Sequence, residues 1–266
     1  MKKILVWDLP VRLAHWLLAA LVFGAFALAN LTSDESVAFA WHAIAGLLAV
    51  FVVVLRLVWG LLGTRYARFG DFSFRPAALA RYLRGVFSHD AEGTGVGHNP
   101  ATSWFAIALF AGIMGLGFTG FLTARGSKSA KEIHEVLAWS VIGLVAVHLA
   151  GVVLHMVRRR ENVITSMITG LKTGPEVAGI PSSRIGSAGL LVAGVFAFGA
   201  LLLSGFDAGT RSLTLPFVGS TLTIGDTDEK VRSERAVETG QRHADGRGDD
   251  SHEHKNEDNY KHRHKD

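Results

Sequence analysis

Five apolar runs, each close to the ~20 residues a helix needs to cross ~30 Å of hydrocarbon, constrain this chain more than anything else in it. They cover roughly 12–31, 40–62, 103–123, 134–157 and 185–206. In lipid every backbone polar group must be paired within the protein, so such runs can span only as helices. The placement of charge agrees. Residues 226–266 hold 12 of the 23 acidic and 9 of the 27 basic residues. The remaining body is poor in charge for a soluble domain and net positive. Its basic residues form short clusters beside the apolar runs, a membrane-orientation pattern rather than a nucleic-acid footprint.

Lys2, Lys3 and the small residues Ala27 and Ala29 would allow a signal-peptide reading of the first run. Asp8, Pro10 and Arg12 interrupt its start, however, and its apolar stretch exceeds the roughly 7–15 residues of a signal core. Loop charges predict the orientation. Thirteen Lys and Arg lie before the first run and in loops 63–102 and 158–184, against three in loops 32–39 and 124–133. The positive-inside rule then expects a cytoplasmic N-terminus, with residues after the fifth run outside. Five of the six Trp (Trp7, Trp16, Trp41, Trp59 and Trp104) lie near run ends, as an interfacial belt requires. Gly97-His98-Asn99-Pro100 reads as a turn before the third run, and a short β-like stretch is expected around Leu213–Leu222. The tail 226–266 is expected to be disordered. The domain organisation is thus a bundle over 1–173, a fifth helix with a short extracytoplasmic segment over 174–225, and the tail.

What interrupts the apolar runs is mainly histidine. His15 lies in the first, His42 in the second, and His134, His148 and His155 in the fourth. Ionisable residues inside a span are costly and by default mark function. His134 and His148 are 14 residues apart, so they project from one helix face within about 40° and differ in depth by ~21 Å. Chain direction places His42 and His134 near the outer side, and His15 and His148 near the inner side. The chain has no cysteine, which excludes disulfides, Cys-ligated zinc, iron–sulfur clusters and a CxxCH haem link. Imidazole suits zinc, copper or nickel as well as iron, but those ions usually collect three or four ligands. Each pair offers two, which is what a non-covalent haem needs from protein. A lone histidine would more often be an interhelical hydrogen-bond partner; two matched pairs at complementary depths favour two b haems.

Gly46, Gly112, Gly115, Gly117, Gly120, Gly143 and Gly151 would let a flat macrocycle meet backbone, though ordinary helix packing in membranes enriches glycine too. Arg56 follows His42 by 14 residues, on nearly the same face at the inner level. Its expected partner is a propionate of the inner haem; the alternative is snorkelling to headgroups.

The segments WDLPVRLAHW, WHAIAG, LRLVWGLLGTRYARF, GHNP and IHEVLAWSVIGLVAVH resemble the bacterial cytochrome b561 family, which includes the cytochrome b subunits of membrane-bound nickel–iron hydrogenases. The resemblance covers about residues 5–173. It implies an all-α integral membrane protein of the bacterial inner membrane, a four-helix di-haem bundle, here with a fifth C-terminal transmembrane helix. By position it implies His15, His42, His134 and His148 as axial ligands. It implies electron transfer between the quinone pool and a partner such as a cytochrome or hydrogenase, as a quinol-oxidising or quinone-reducing subunit of an oxidoreductase complex. The fifth span and His155 depart from the family's minimal pattern. A different function class, a histidine-based metal transporter or sensor, rests on the same intramembrane histidines and on His243, His252, His254, His262 and His264 of the tail. Against it, Asp and Glu are almost absent from the spans.

Overall fold

The structure is a computed structural model that describes residues 2–34, 36–87, 96–160, 162–215 and 219–225. The tail 226–266 and residues 216–218, within the expected β-like stretch, lie outside the described residues. In chain order the elements are β1 (Lys2–Leu5), α1 (Leu9–Leu31), α2 (Val37–Leu62), α3 (Pro76–Phe87), α4 (Pro100–Ala124), α5 (Lys128–Arg159), α6 (Val163–Thr169), β2 (Leu171–Gly174), α7 (Ile185–Ser204), β3 (Phe206–Asp207), β4 (Ser212–Thr214) and β5 (Thr221–Thr223). Helices α1, α2, α4, α5 and α7 are long and apolar enough to cross a membrane, and they match the five runs.

Local chemistry sets their ends. Asp8 caps α1 by accepting from the Val11 amide at 3.0 Å, and Pro10 sits in the first turn, where its missing N–H costs nothing. The residues that interrupt the first apolar run therefore start its helix. Ser36, Asn99 and Ser127 cap α2, α4 and α5 in the same way, each satisfying an amide with no partner inside its helix. Asn99 does so from the turn expected at 97–100. Gly170 ends α6 with φ +82°. A Cβ there would be strained and would crowd the Trp7 carbonyl oxygen at 2.6 Å.

Helix α2 is the centre of the bundle. It packs against α1, α4 and α7, and its Ala49, Val52 and Val53 join Ala14 and Leu18 of α1, Phe110 and Ile113 of α4 and Leu191 of α7 in the main core. Helix α5 packs along α4 but makes no comparable contact with α1 or α2. The four helices thus run α1–α2–α4–α5 as an incompletely closed ring. Helix α7 lies outside that ring, against α1 and α2, with Phe198 stacked on Phe51 at 4.4 Å.

Each end of the bundle carries a small sheet. At the end bearing most of the basic loops, β1 pairs antiparallel with β2, Leu5 opposite Leu171. Ile4, Val6, Trp7, Val11, Tyr66, Ala67 and Ile180 form a satellite core there. At the far end β3, β4 and β5 form an antiparallel sheet, the strand structure expected near Leu213–Leu222. Its Leu213 is buried with Ala40, Ile44, Leu202 and Ile224. Helices α3 and α6 and strand β2 lie where the sequence reads as loop. Helix α3 falls within 63–102, between spans; its 12 residues include Arg81 and Arg84, so it is too short and charged to register as a run. Strand β2 is four residues long, and only pairing with the N-terminal strand defines it.

Candidate functional site

The far-end pair of histidines comes together. His42, one and a half turns into α2, and His134, near the start of α5, have ring centres 6.0 Å apart with planes at 77°. The outer nitrogen of each ring is already engaged. His42 Nδ1 donates to the Ala25 carbonyl oxygen of α1 at 2.8 Å. His134 Nδ1 lies 3.0 Å from Thr119 Oγ1 of α4, which itself donates to the Gly115 carbonyl oxygen at 2.9 Å. Each of these contacts is made through Nδ1, so Nε2 is the nitrogen that could face an ion. A metal-bound imidazole characteristically donates its other N–H to a carbonyl or similar acceptor. With a metal–nitrogen bond of ~2 Å on each side, two ring centres facing one ion stand roughly 6 Å apart. The observed spacing fits two axial ligands of one iron.

The glycines divide into two groups. A Cβ on Gly46, one turn after His42, would meet nothing within 4 Å, so open space lies beside the ligand face. Added Cβ atoms on Gly112, Gly115 and Gly117 would instead strike Val141, Leu137 and Val50 at 2.5–2.8 Å. These α4 glycines serve close helix packing against α5 and α2, the ordinary reading of such residues. Gly120 stands 3.3 Å from the His134 ring by the same measure, so it clears space for that imidazole. Gly143 and Gly151 face open space, with Gly143 half a turn away from His134.

His15 and His148 lie within electrostatic reach of each other at the basic end. The His148 ring is stacked on Phe105 of α4 at 4.4 Å. His15 Nδ1 is buried with no hydrogen-bond partner. Arg56 is only 5% exposed, and its Nη1 is also buried and unpartnered. The guanidinium rests 5.7 Å from the Phe69 ring centre and 5.9 Å from that of Phe110. Asp8 lies within its electrostatic reach, but that carboxylate is committed elsewhere. It accepts from Trp59 Nε1 at 3.0 Å, Thr64 Oγ1 at 2.6 Å and the Val11 amide. A buried cation with a free N–H needs an anionic acceptor, and a haem propionate has that chemistry. The donor set, the ring spacing, the open face at Gly46 and the orphaned Arg56 nitrogen therefore fit b haem.

Beside this end lies a residue that sequence reading placed only in a turn. His98 is wedged between Trp7 and Phe72, at ring-centre distances of 4.8 and 4.4 Å. Its Nδ1 is buried and unpartnered. Burial, reinforced by the positive charges of Arg56 and Lys172, pushes its pKa down to about 3, so the ring is neutral near pH 7. Two other residues carry no sequence signal of their role. Thr119 is one of several threonines in an apolar helix, and Ala25 contributes only a carbonyl oxygen. His155, the extra histidine of the fourth span, lies on α5 seven residues beyond His148. Among the described residues no group of three or more His, Asp or Glu is assembled to hold a metal ion. The tail histidines behind the transporter reading lie outside the described residues.

No curated protein and no solved structure matches the chain. A family model does, that of prokaryotic cytochrome b561, over residues 6–170. The match covers the ring of four helices and all five candidate site residues, and the chain belongs to the prokaryotic cytochrome b561 family.

Proposed function

We propose that this chain is a di-haem carrier that passes electrons across the bacterial inner membrane between a quinone and a redox partner protein. Transmembrane electron transfer by a b-type cytochrome is the activity of the family to which it belongs. The finer reading assigns His42 and His134 to one haem and His15 and His148 to the other. The observation that carries it is the 6.0 Å spacing of His42 and His134, with both rings held through Nδ1.

When bound, haem supplies a one-electron iron centre, and the protein supplies position and environment. Ala25 and Thr119 orient the far-end imidazoles. Phe105 braces His148 by stacking. Arg56 offers its free N–H to a propionate. The apolar helices exclude water and keep the local dielectric low. The two histidines of α5 set the two sites ~21 Å apart in depth, most of the hydrocarbon thickness. The excess of Lys and Arg at the end carrying β1 and β2 supports a cytoplasmic position for that end and a periplasmic one for residues 207–266.

The test is haem content and a reduced-minus-oxidised spectrum of the purified chain. Two b haems per chain are expected. His134→Ala and His148→Ala each lose one haem, and His155→Ala keeps both, because His155 lies only three residues before Arg158-Arg159-Arg160 at headgroup level. A single haem in the wild type, or a haem lost in His155→Ala with two retained in His148→Ala, overturns the ligand assignment.

A further inference from the structure

The four candidate ligands differ in what holds them from behind. At the far end, Thr119 Oγ1 lies 2.9 Å from the Gly115 carbonyl oxygen, 3.3 Å from that of Leu116 and 3.0 Å from His134 Nδ1. With its one proton directed to either carbonyl, the hydroxyl accepts from His134 Nδ1–H and leaves Nε2 as the ligand atom. His42 is fixed in the same way, by the Ala25 carbonyl. At the basic end, His15 Nδ1 is buried without a partner. A hydrogen-bonded N–H makes an imidazole a more basic ligand. A more basic ligand stabilises the more positive iron and so lowers its potential, and hydrogen bonding to the far side of an axial imidazole is one of the levers on haem potential. The buried charge of Arg56 acts in the opposite sense at the other end. A fixed cation beside a site favours the less positive, reduced iron.

From these contacts we infer that Thr119 is a positioning residue that lowers the midpoint potential of the far-end haem below that of the basic-end haem. This rests on the ligand pairs proposed above. The potential difference makes electron flow downhill from the far end to the end carrying Arg56. The far-end reaction is then the one that delivers electrons, and the basic-end reaction the one that consumes them.

The experiment is a potentiometric titration of the full-length purified chain, followed through the haem absorbance. His42→Ala identifies the far-end midpoint by its loss, and that midpoint is expected to be the lower one. Thr119→Val removes the hydroxyl and keeps the shape. It should raise the far-end midpoint and leave the other in place. A tenfold change in the balance between oxidised and reduced iron, which for one electron is ~59 mV, sets the scale of the expected shift. Thr119→Ser, which retains the hydroxyl, should restore the wild-type value. If Thr119→Val loses the far-end haem outright, Thr119→Ser must recover both haem and midpoint, and its failure to do so overturns the role. Two midpoints unmoved by Thr119→Val, with haem content intact, overturn the inference alone. A wild type without two b midpoints overturns the ligand reading, and this inference with it.

Discussion

Asp8 is 1% exposed and is the point at which the N-terminal strand, α1 and α2 are tied together. Its carboxylate caps α1 through the Val11 amide, and it receives Trp59 Nε1 from the last turn of α2 and Thr64 Oγ1 from just beyond that helix. Asp8→Ala removes the acceptor of all three donors at once. Loss of an N-cap costs about 1 kcal/mol. Leaving the indole N–H buried without an acceptor costs about 1–3 kcal/mol, and the threonine hydroxyl up to as much again. The hydroxyl can turn to a neighbouring carbonyl, and such effects are not additive, so a net loss of about 3–4 kcal/mol is expected. The consequence for the site is positional. His15 lies seven residues along α1 from Asp8, two turns up the same face, and Arg56 lies one turn before Trp59 on α2. The Asp8 latch sets the depth of one against the other. Thermal melts in detergent, followed through the haem absorbance, should show the basic-end haem lost first and at lower temperature in Asp8→Ala. Asp8→Asn keeps one oxygen acceptor and should fall between. Thr64→Val removes one bond only and should cost about 1 kcal/mol. If Asp8→Ala melts within about 1 kcal/mol of the wild type and retains both haems at equal temperature, the latch does not hold the site.

Two further outcomes follow from the basic end. Arg56→Met keeps the volume and removes the buried cation, so it should lower the basic-end midpoint and leave the far-end one unchanged; an unchanged basic-end midpoint would show that the guanidinium does not face that haem. His98 should give an acid-dependent loss of stability. Its pKa stands at about 3 in the fold against an ordinary 6.5, so between these values the unfolded chain binds a proton that the folded chain refuses. Stability is then full above about pH 6.5 and declines as pH falls toward 3; melts of His98→Phe across that window should lose most of this slope, and a slope equal to that of the wild type would refute the assignment.

The spans were legible because lipid leaves the backbone no alternative. A run of apolar residues that long can only be helix, and the histidines that break it stand out against it. Asp8 and Pro10 show the limit of reading such a run by hydropathy alone. They look like interruptions and are in fact the cap and the first turn, so the helix begins three residues before the apolar run. The glycines of α4 show another limit. Gly112, Gly115 and Gly117 carry the same sequence signal as Gly46, yet they meet side chains of α5 and α2 while Gly46 meets open space. Which face a glycine serves depends on the neighbour, and the neighbour is set by tertiary packing. The pairing of β1 with β2 was invisible for the same reason. Residues 2–5 and 171–174 are each too short to read as strands, and become so only because the bundle brings the two ends of the matched region together.

The histidines themselves divide along this line. Their depth is a property of sequence, since the rise per residue is fixed. Their partners are not. His42 is held by a carbonyl of α1 and His134 by a hydroxyl of α4, so each proposed far-end ligand is oriented by a helix other than its own. Helix α5 makes no broad contact with α1 or α2, and His134 therefore relies on α4 for its position. The close α4–α5 packing at Gly112 and Gly115 does for His134 what the α1–α2 packing does for His42. Those glycines do not cradle a macrocycle, but they bring Thr119 within reach of the His134 ring. A side chain at Gly115, which faces Leu137 one turn beyond His134 on α5, would push the helices apart and lengthen the Thr119–His134 bond before it touched any ligand atom. On the proposed assignment, the small residues of α4 act on the site by bringing Thr119 up behind His134, and the two ends of the bundle differ in what stands behind each histidine rather than in the residue type chosen.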